Sequence, residues 1–340
     1  MGGQAPRTGG RPDPGGPDPD RGPVVSVEVG MIAFLFPGQG SQRAGMIAAL
    51  PDEPVVRTTL DTISDTIGQD VHDLDSADAL TSTYAAQVGL FAVGVATDRL
   101  LDQAGIRADV VAGHSIGAFG AAVSSGVLTV SEGARAVAVR ARRMQELHPF
   151  GYGLMAVIGL TRRSADDLVA SVRAEDALFV AMENSADQIV LAGSDEALAR
   201  AATRAPGFGA REARRLDVAV PSHCALMLPV AEAVAAVLET VPDRRPRTRF
   251  IAASTARVAV SGARVREDLA AGVAEMVRWR DSTDLLAELG TTLTVQLPPG
   301  HTTGALFAAA HPDIPTVSID DSAFDDAVLR VRRFRERGPE

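Results

Sequence analysis

An α/β fold, built on a parallel sheet and interrupted by a small inserted subdomain, is what the sequence predicts, and three observations carry it. From residue 31 onward short apolar runs alternate with helical segments, a pattern that places helices on both faces of a parallel sheet. One of those runs leads directly into Gly113-His114-Ser115-Ile116-Gly117, a strand–turn–helix junction. Between residues 152 and 218 the order changes to βαββαβ, the ferredoxin-like pattern.

Taken in order, residues 1–23 are dominated by Gly, Pro, Asp and Arg. They offer no apolar surface to bury, so 1–30 reads as a disordered extension. Its charges nearly cancel: Arg7, Arg11 and Arg21 stand against Asp13, Asp18, Asp20 and Glu28. Ile32–Phe36 reads as a buried parallel strand stopped by Pro37-Gly38. The loop Gly38-Gln39-Gly40-Ser41-Gln42 follows, then helices near 54–67 and 84–104. Asp109–Ala112 is the strand that feeds the Gly113 turn, and a helix of small residues leaves it. Ser131 and Glu132 open a helix to about Leu147. Met155–Leu160 is then a strand, Arg163–Arg173 a helix, and Leu178–Glu183 and Gln188–Gly193 strands around a turn at Asn184–Asp187. Ser194 caps a helix to Arg204, and Glu212–Val218 alternates as a strand. The small unit is therefore placed at 152–218, splitting a large domain into 31–151 and 219–330. The large domain resumes with a helix over Cys224–Glu239, a strand at Phe250–Ala253, helices over Val265–Ala274 and Ser282–Leu289, and a strand at Thr292–Leu297 stopped by Pro298-Pro299-Gly300.

The chain of 340 residues is long enough for a substantial core, and its 46% hydrophobic and 22% charged content is that of an ordinary globular protein. A net charge of −10 argues against binding a phosphate backbone. No apolar run is long enough to cross a bilayer, and no signal segment or lipid-anchor motif is evident at the start, so neither a membrane nor a secretory route is expected. The single cysteine, Cys224, permits no internal disulfide, consistent with a cytoplasmic protein, and gives no zinc-like cluster. There is no lysine, so all 33 basic residues are arginine. That removes Schiff-base chemistry and the phosphate-binding P-loop.

Gly113-x-Ser115-x-Gly117 has the spacing of a nucleophile elbow. The glycines allow a sharp turn, and the helix that follows offers backbone N–H groups to a developing oxyanion. A glycine-rich turn in a glycine-rich chain would give the same pentapeptide; the strand before it and the helix after it favour the elbow. A serine needs a base, and His223 is the best of six histidines because it lies where the small unit ends, a natural cleft. His72, His148, His301 and His311 read as surface residues. His114 is expected to support the elbow through a hydrogen bond, and Cys224 to act as apolar filler.

Four segments occur in register: Phe36-Pro37-Gly38-Gln39-Gly40-Ser41-Gln42, Gly113-His114-Ser115-Ile116-Gly117, Val137-x-x-Arg140-x-x-x-Met144-Gln145, and Val220-Pro221-Ser222-His223-Cys224-Ala225-Leu226-Met227. Together, over about 31–310, they resemble the malonyl-CoA:acyl carrier protein transacylase family. The resemblance implies an α/β-hydrolase-like large domain carrying the ferredoxin-like unit. It implies that Ser115 is the acylated nucleophile and His223 its base, oriented by the carbonyl of Gly272. The amides of Gln39 and Ile116 would form the oxyanion hole, Arg140 would bind the malonyl carboxylate, and Gln87 and His114 would line the substrate site. Asn184 and Gln188 match a turn read as mainly structural. No cofactor is implied beyond malonyl-CoA as donor and a phosphopantetheine-type thiol on a carrier protein as acceptor.

Arg140 fits this independently, because a planar guanidinium grips a carboxylate through two parallel hydrogen bonds. Left unpaired, its buried charge disfavours neutral acyl groups by about 3–5 kcal/mol. Arg142 and Arg143 fall on other helix faces, toward solvent or CoA phosphates. Ile116 with Ala118-Phe119, the turn Pro298-Pro299-Gly300, and the stretch from Ala49-Leu50-Pro51 to Leu74-Asp75-Ser76 are most similar to the epsilon subunit of malonate decarboxylase. That subunit charges its own carrier protein, whose prosthetic group is a modified dephospho-CoA. The fatty-acid or polyketide transacylase is the alternative, and a serine esterase or thioesterase the alternative of another class, against which stands the lack of an identifiable triad acid.

Overall fold

The computed structural model describes residues 1–3 and 30–337, so most of the extension expected over 1–30 lies outside the described residues. The strands are β1 (Met31–Phe36), β2 (Val110–Gly113), β3 (Tyr152–Ile158), β4 (Leu178–Glu183), β5 (Gln188–Ser194), β6 (Glu212–Arg215), β7 (Arg249–Ala252), β8 (Arg257–Ala259), β9 (Thr291–Gln296) and β10 (Thr316–Ser318). The helices are α1 (Pro54–Ile67), α2 (Thr83–Gln103), α3 (Gly117–Ser124), α4 (Val130–Leu147), α5 (Arg162–Arg173), α6 (Asp195–Arg204), α7 (Leu228–Glu239), α8 (Gly262–Ala271), α9 (Trp279–Glu288), α10 (Thr302–Ala310) and α11 (Phe324–Arg337).

Two sheets result. The larger has the order β10-β9-β1-β2-β7-β8. Its first five strands run parallel and β8 closes the edge antiparallel to β7. β1 lies at the centre and is buried along nearly its whole length, which is why it reads as a continuous apolar run rather than an alternation. Its register pairs Phe36 with Gly113, so the chain leaves β1 and β2 side by side at the same edge. The smaller sheet is antiparallel in the order β4-β5-β3-β6, the ferredoxin-like arrangement of its βαββαβ chain order.

Strand alternation gives the small sheet two jobs. Met155 and Val157 of β3, with Ile189 and Leu191 of β5, join α5 and α6 in a separate apolar cluster. Their neighbours Leu154 and Ala156 of β3 and Val190 of β5 line a cleft on the other face. The small sheet is stitched to the large unit by a short parallel bridge between Met182 and Val277. There Glu183 N–H donates to Val277 O, and Val277 N–H to Ala181 O, each at 2.9 Å.

Several elements depart from sequence expectation. The helix expected over Cys224–Glu239 begins instead with a single turn at Ala225–Met227, and α7 proper starts at Leu228. Pro229 lacks an N–H and has a fixed φ, so it suits only the first turn. The helix expected from Ser131 is capped at Thr129. The Thr129 hydroxyl accepts from Glu132 N–H, and Glu132 reaches back to Thr129 N–H. The strand expected over Glu212–Val218 stops at Arg215; it is an edge strand paired only with β3. β8, α10, β10 and α11 were not expected. No helix among the described residues is long and apolar enough to cross a membrane.

Candidate active site

The turn after β2 is built by steric necessity. A Cβ on Gly113 would lie 2.2 Å from the amide nitrogen of Ala118, and one on Gly117 would lie 2.3 Å from the carbonyl oxygen of Phe36. Only glycine lets α3 approach β1 and β2 this closely. Ser115 between them adopts φ 55°, the left-handed region. For a non-glycine residue that conformation costs about 1–3 kcal/mol and marks functional sites. It aims the hydroxyl into a cleft of about 410 Å³ between the two units.

His223, which follows the small unit in the chain, meets Ser115 from beneath the cleft surface, buried at 2% exposure. Its Nε2 stands 2.7 Å from Ser115 Oγ and its Nδ1 2.6 Å from the carbonyl oxygen of Gly272. A carbonyl only accepts, so Nδ1 carries the proton and Nε2 is left to accept from the serine hydroxyl. His223 also sits at φ 63°, and its backbone N–H donates to Val273 O at 3.0 Å. Burial, helped by the charge of Arg140, lowers its pKa to about 3. The imidazole is therefore neutral at physiological pH, the form a general base needs.

Arg140, on α4, is 2% exposed. It donates to Gln87 Oε1 through one terminal nitrogen and to Ser115 Oγ at 3.1 Å through the other, and its Nε has no partner. Neither partner is a carboxylate. Burial lowers its pKa to about 10, which leaves it cationic at neutral pH. A buried cation without a counter-ion carries an uncompensated penalty of several kcal/mol, which an incoming anion would relieve. Gln87, fully buried on α2, also points its amide nitrogen at Gln39 Oε1, 3.4 Å away.

The backbone amides of Gln39 and Ile116 donate to no other backbone group among the described residues. Gln39 lies on the loop that leaves β1, and Ile116 directly precedes α3, where the helix dipole is positive. The arrangement can thus deprotonate a hydroxyl, stabilise an oxyanion and hold an anionic substituent in one cleft.

Of the residues singled out in the sequence, Ser115, His223, Arg140, Gln87, Gln39 and His114 meet here. His114 Nε2 lies 3.0 Å from Asn184 Oδ1, and its ring packs edge-on against Trp279 at 5.3 Å. Burial lowers its pKa. Its hydrogen bond therefore ties the elbow to the small unit, and Asn184 and Gln188, read from sequence as mainly structural, line the cleft. Thr302, Thr303 and Arg214 also line it and carried no sequence signal. Arg142 is exposed and stacks over Tyr84 at 4.9 Å, while Arg143 pairs with Glu146 at 3.2 Å. His148 and His311, expected at the surface, are half-buried, against Tyr152 and Phe307 respectively. Cys224 is buried, and burial raises its thiol pKa to about 11. No group of three or more potential metal ligands occurs among the described residues.

Comparison with known proteins gives a consistent result. The acyl transferase domain family matches residues 33–310. The chain is 33% identical over 304 residues to a malonyl CoA-acyl carrier protein transacylase of Haemophilus influenzae, covering 87% of this chain and 97% of that protein. To the protein of the same name from Escherichia coli K12 it is 34% identical over 275 residues, 79% of this chain and 89% of the other. Among solved structures, a type II polyketide malonyl-transacylase in complex with its acyl-carrier protein superposes with a TM-score of 0.83 at 32% identity, over 88% of this chain and 99% of that one. A malonyl CoA-acyl carrier protein transacylase from Coxiella burnetii superposes with a TM-score of 0.86 at 28% identity, over 92% and 99%.

Proposed function

This chain belongs to the acyl transferase domain family, and from that premise we propose that it is a cytoplasmic malonyl-CoA:acyl carrier protein S-malonyltransferase working through a malonyl-serine ester. The observation that carries the reading is the placement of Ser115 between a neutral imidazole 2.7 Å away and an unpaired buried guanidinium 3.1 Å away.

In the mechanism His223 Nε2 takes the hydroxyl proton as Ser115 Oγ attacks the thioester carbonyl of malonyl-CoA. The amides of Gln39 and Ile116 hold the tetrahedral oxyanion. The C–S bond breaks, the CoA sulfur leaves with the proton from His223, and a malonyl-serine ester remains. The carrier's thiol then gives its proton to His223 and attacks the ester, and the Ser115 oxygen recovers a proton as it departs. Throughout, Arg140 pairs with the malonyl carboxylate, oriented by Gln87. The Gly272 carbonyl fixes the imidazole tautomer where a triad would use a carboxylate, which weighs against a serine hydrolase.

For the carrier, we favour that of malonate decarboxylase, with this chain as its epsilon subunit. The support is Ile116 with Ala118-Phe119, the Pro298-Pro299-Gly300 turn and the 49–76 segment. The relatives, named for an acyl carrier protein and in one solved structure for a type II polyketide carrier, favour the fatty-acid or polyketide alternative instead. Labelled malonyl-CoA offered with each purified carrier side by side decides between them. Label on the decarboxylase carrier at the higher kcat/KM supports the finer reading; preference for the fatty-acid carrier removes it. Free malonate released without a carrier, at a rate rivalling transfer, would make the protein a hydrolase.

A further inference from the structure

The turn that ends α8 grips His223 at two points. Gly272 O accepts from Nδ1–H at 2.6 Å and Val273 O accepts from the backbone N–H at 3.0 Å. The turn is itself held by Asp268, one turn earlier on the helix. Gly272 N–H donates to Asp268 O at 2.7 Å. The Asp268 carboxylate, 6% exposed, reaches across to the end of β7. It accepts from Ala253 N–H at 3.0 Å, from Ser254 N–H at 3.0 Å and from the Ser254 hydroxyl at 2.7 Å. None of these partners is a cation, and a buried carboxylate without a counter-ion is a costly way to end a strand.

Gly272 has no side chain with which to brace itself, and the outer side of the turn is not packed. Its neighbours Ala271 and Glu275, with Ser254 and Asp268, line an open cleft of about 510 Å³. The inner side is held by Val273, Leu269 and Ala270 in the core, and on the outer side hydrogen bonds set where the Gly272 carbonyl stands. We propose that Asp268 is a positioning residue for the reaction: by fastening the last turn of α8 to the end of β7, it holds the Gly272 carbonyl against His223. The carboxylate that a triad places directly on the histidine acts here at one remove, through the backbone.

The inference rests on His223 being the base, so malonyl adduct formation by the parent chain is measured first; its absence overturns both readings. With the adduct present, Asp268→Asn replaces one acceptor oxygen with a donor that faces an N–H. It is expected to lower kcat for malonyl transfer by about ten- to a hundred-fold, the scale of a sub-ångström misplacement. KM for malonyl-CoA and the preference for malonyl over acetyl are expected to hold within about two-fold, because Arg140 is untouched. Ser254→Ala removes a single donor and should give a smaller loss of the same kind; it decides the matter if Asp268→Asn does not fold. Parent-like kcat in the folded variants, with only a lower Tm, would overturn the proposal and leave Asp268 a structural residue.

Discussion

The guanidinium of Arg140 stands 3.1 Å from the hydroxyl of Ser115, close enough to share it with His223. The nucleophile is therefore next to a fixed positive charge before any substrate enters. A malonyl carboxylate would satisfy that charge, whereas an acetyl group would leave it unpaired.

Selectivity should follow from this pairing. Arg140→Ala is expected to lower kcat/KM for malonyl-CoA by about 200- to 5000-fold, the equivalent of about 3–5 kcal/mol. Acetyl-CoA should become the comparable or better donor. Steady-state kinetics with both thioesters measures the ratio; an unchanged ratio would show that Arg140 does not read the carboxylate.

Acid stability should depend on His223. Its pKa falls from 6.5 to about 3 on folding. Between those values the unfolded chain binds the extra proton, so stability contributed by the neutral imidazole is present above pH 6.5 and is lost as pH falls toward 3. His223→Gln removes that titration. The Tm of the parent should fall more steeply than that of the variant between about pH 6 and pH 4. Parallel curves would contradict the buried neutral imidazole.

The elbow tolerates no side chain at its first glycine. Gly113→Ala places a methyl 2.2 Å from the Ala118 nitrogen, and both atoms belong to packed elements. Destabilisation of more than about 3 kcal/mol is expected, read by chemical denaturation. A loss below about 1 kcal/mol would mean that α3 does not pack on β2 as described.

Cys224 should be a bystander. Buried, with its thiol pKa raised to about 11, it offers almost no thiolate at neutral pH. Folded protein treated with iodoacetamide should keep full activity and show no adduct. Rapid alkylation with loss of activity would mean the segment beside His223 opens to solvent.

The ends of elements were legible where local chemistry decides them. Pro37-Gly38 after β1, the Ser194 cap of α6 and the Gly113 turn each announce themselves in sequence. β8 and β10 did not, because strands of three residues leave no periodicity and form only through the neighbour they pair with. α10 escaped for another reason: it is a run of small apolar residues with no amphipathic face. In the site, Ser115 and His223 stood out because their roles need particular residue types in particular junctions. Asn184 did not, because an Asn before a Ser reads as turn chemistry. Its bond to His114 depends on how the small unit sits against the elbow, and no local pattern encodes that. The bracing of Gly272 by Asp268 was hidden likewise, since a carbonyl has no signature in a sequence.

The most direct test of the central claim is intact-mass analysis after mixing the purified chain with malonyl-CoA and no acceptor. One malonyl group per chain is expected, discharged on adding carrier thiol and absent from Ser115→Ala. A parent chain that takes up no malonyl group, or a Ser115→Ala variant that still does, would contradict the account.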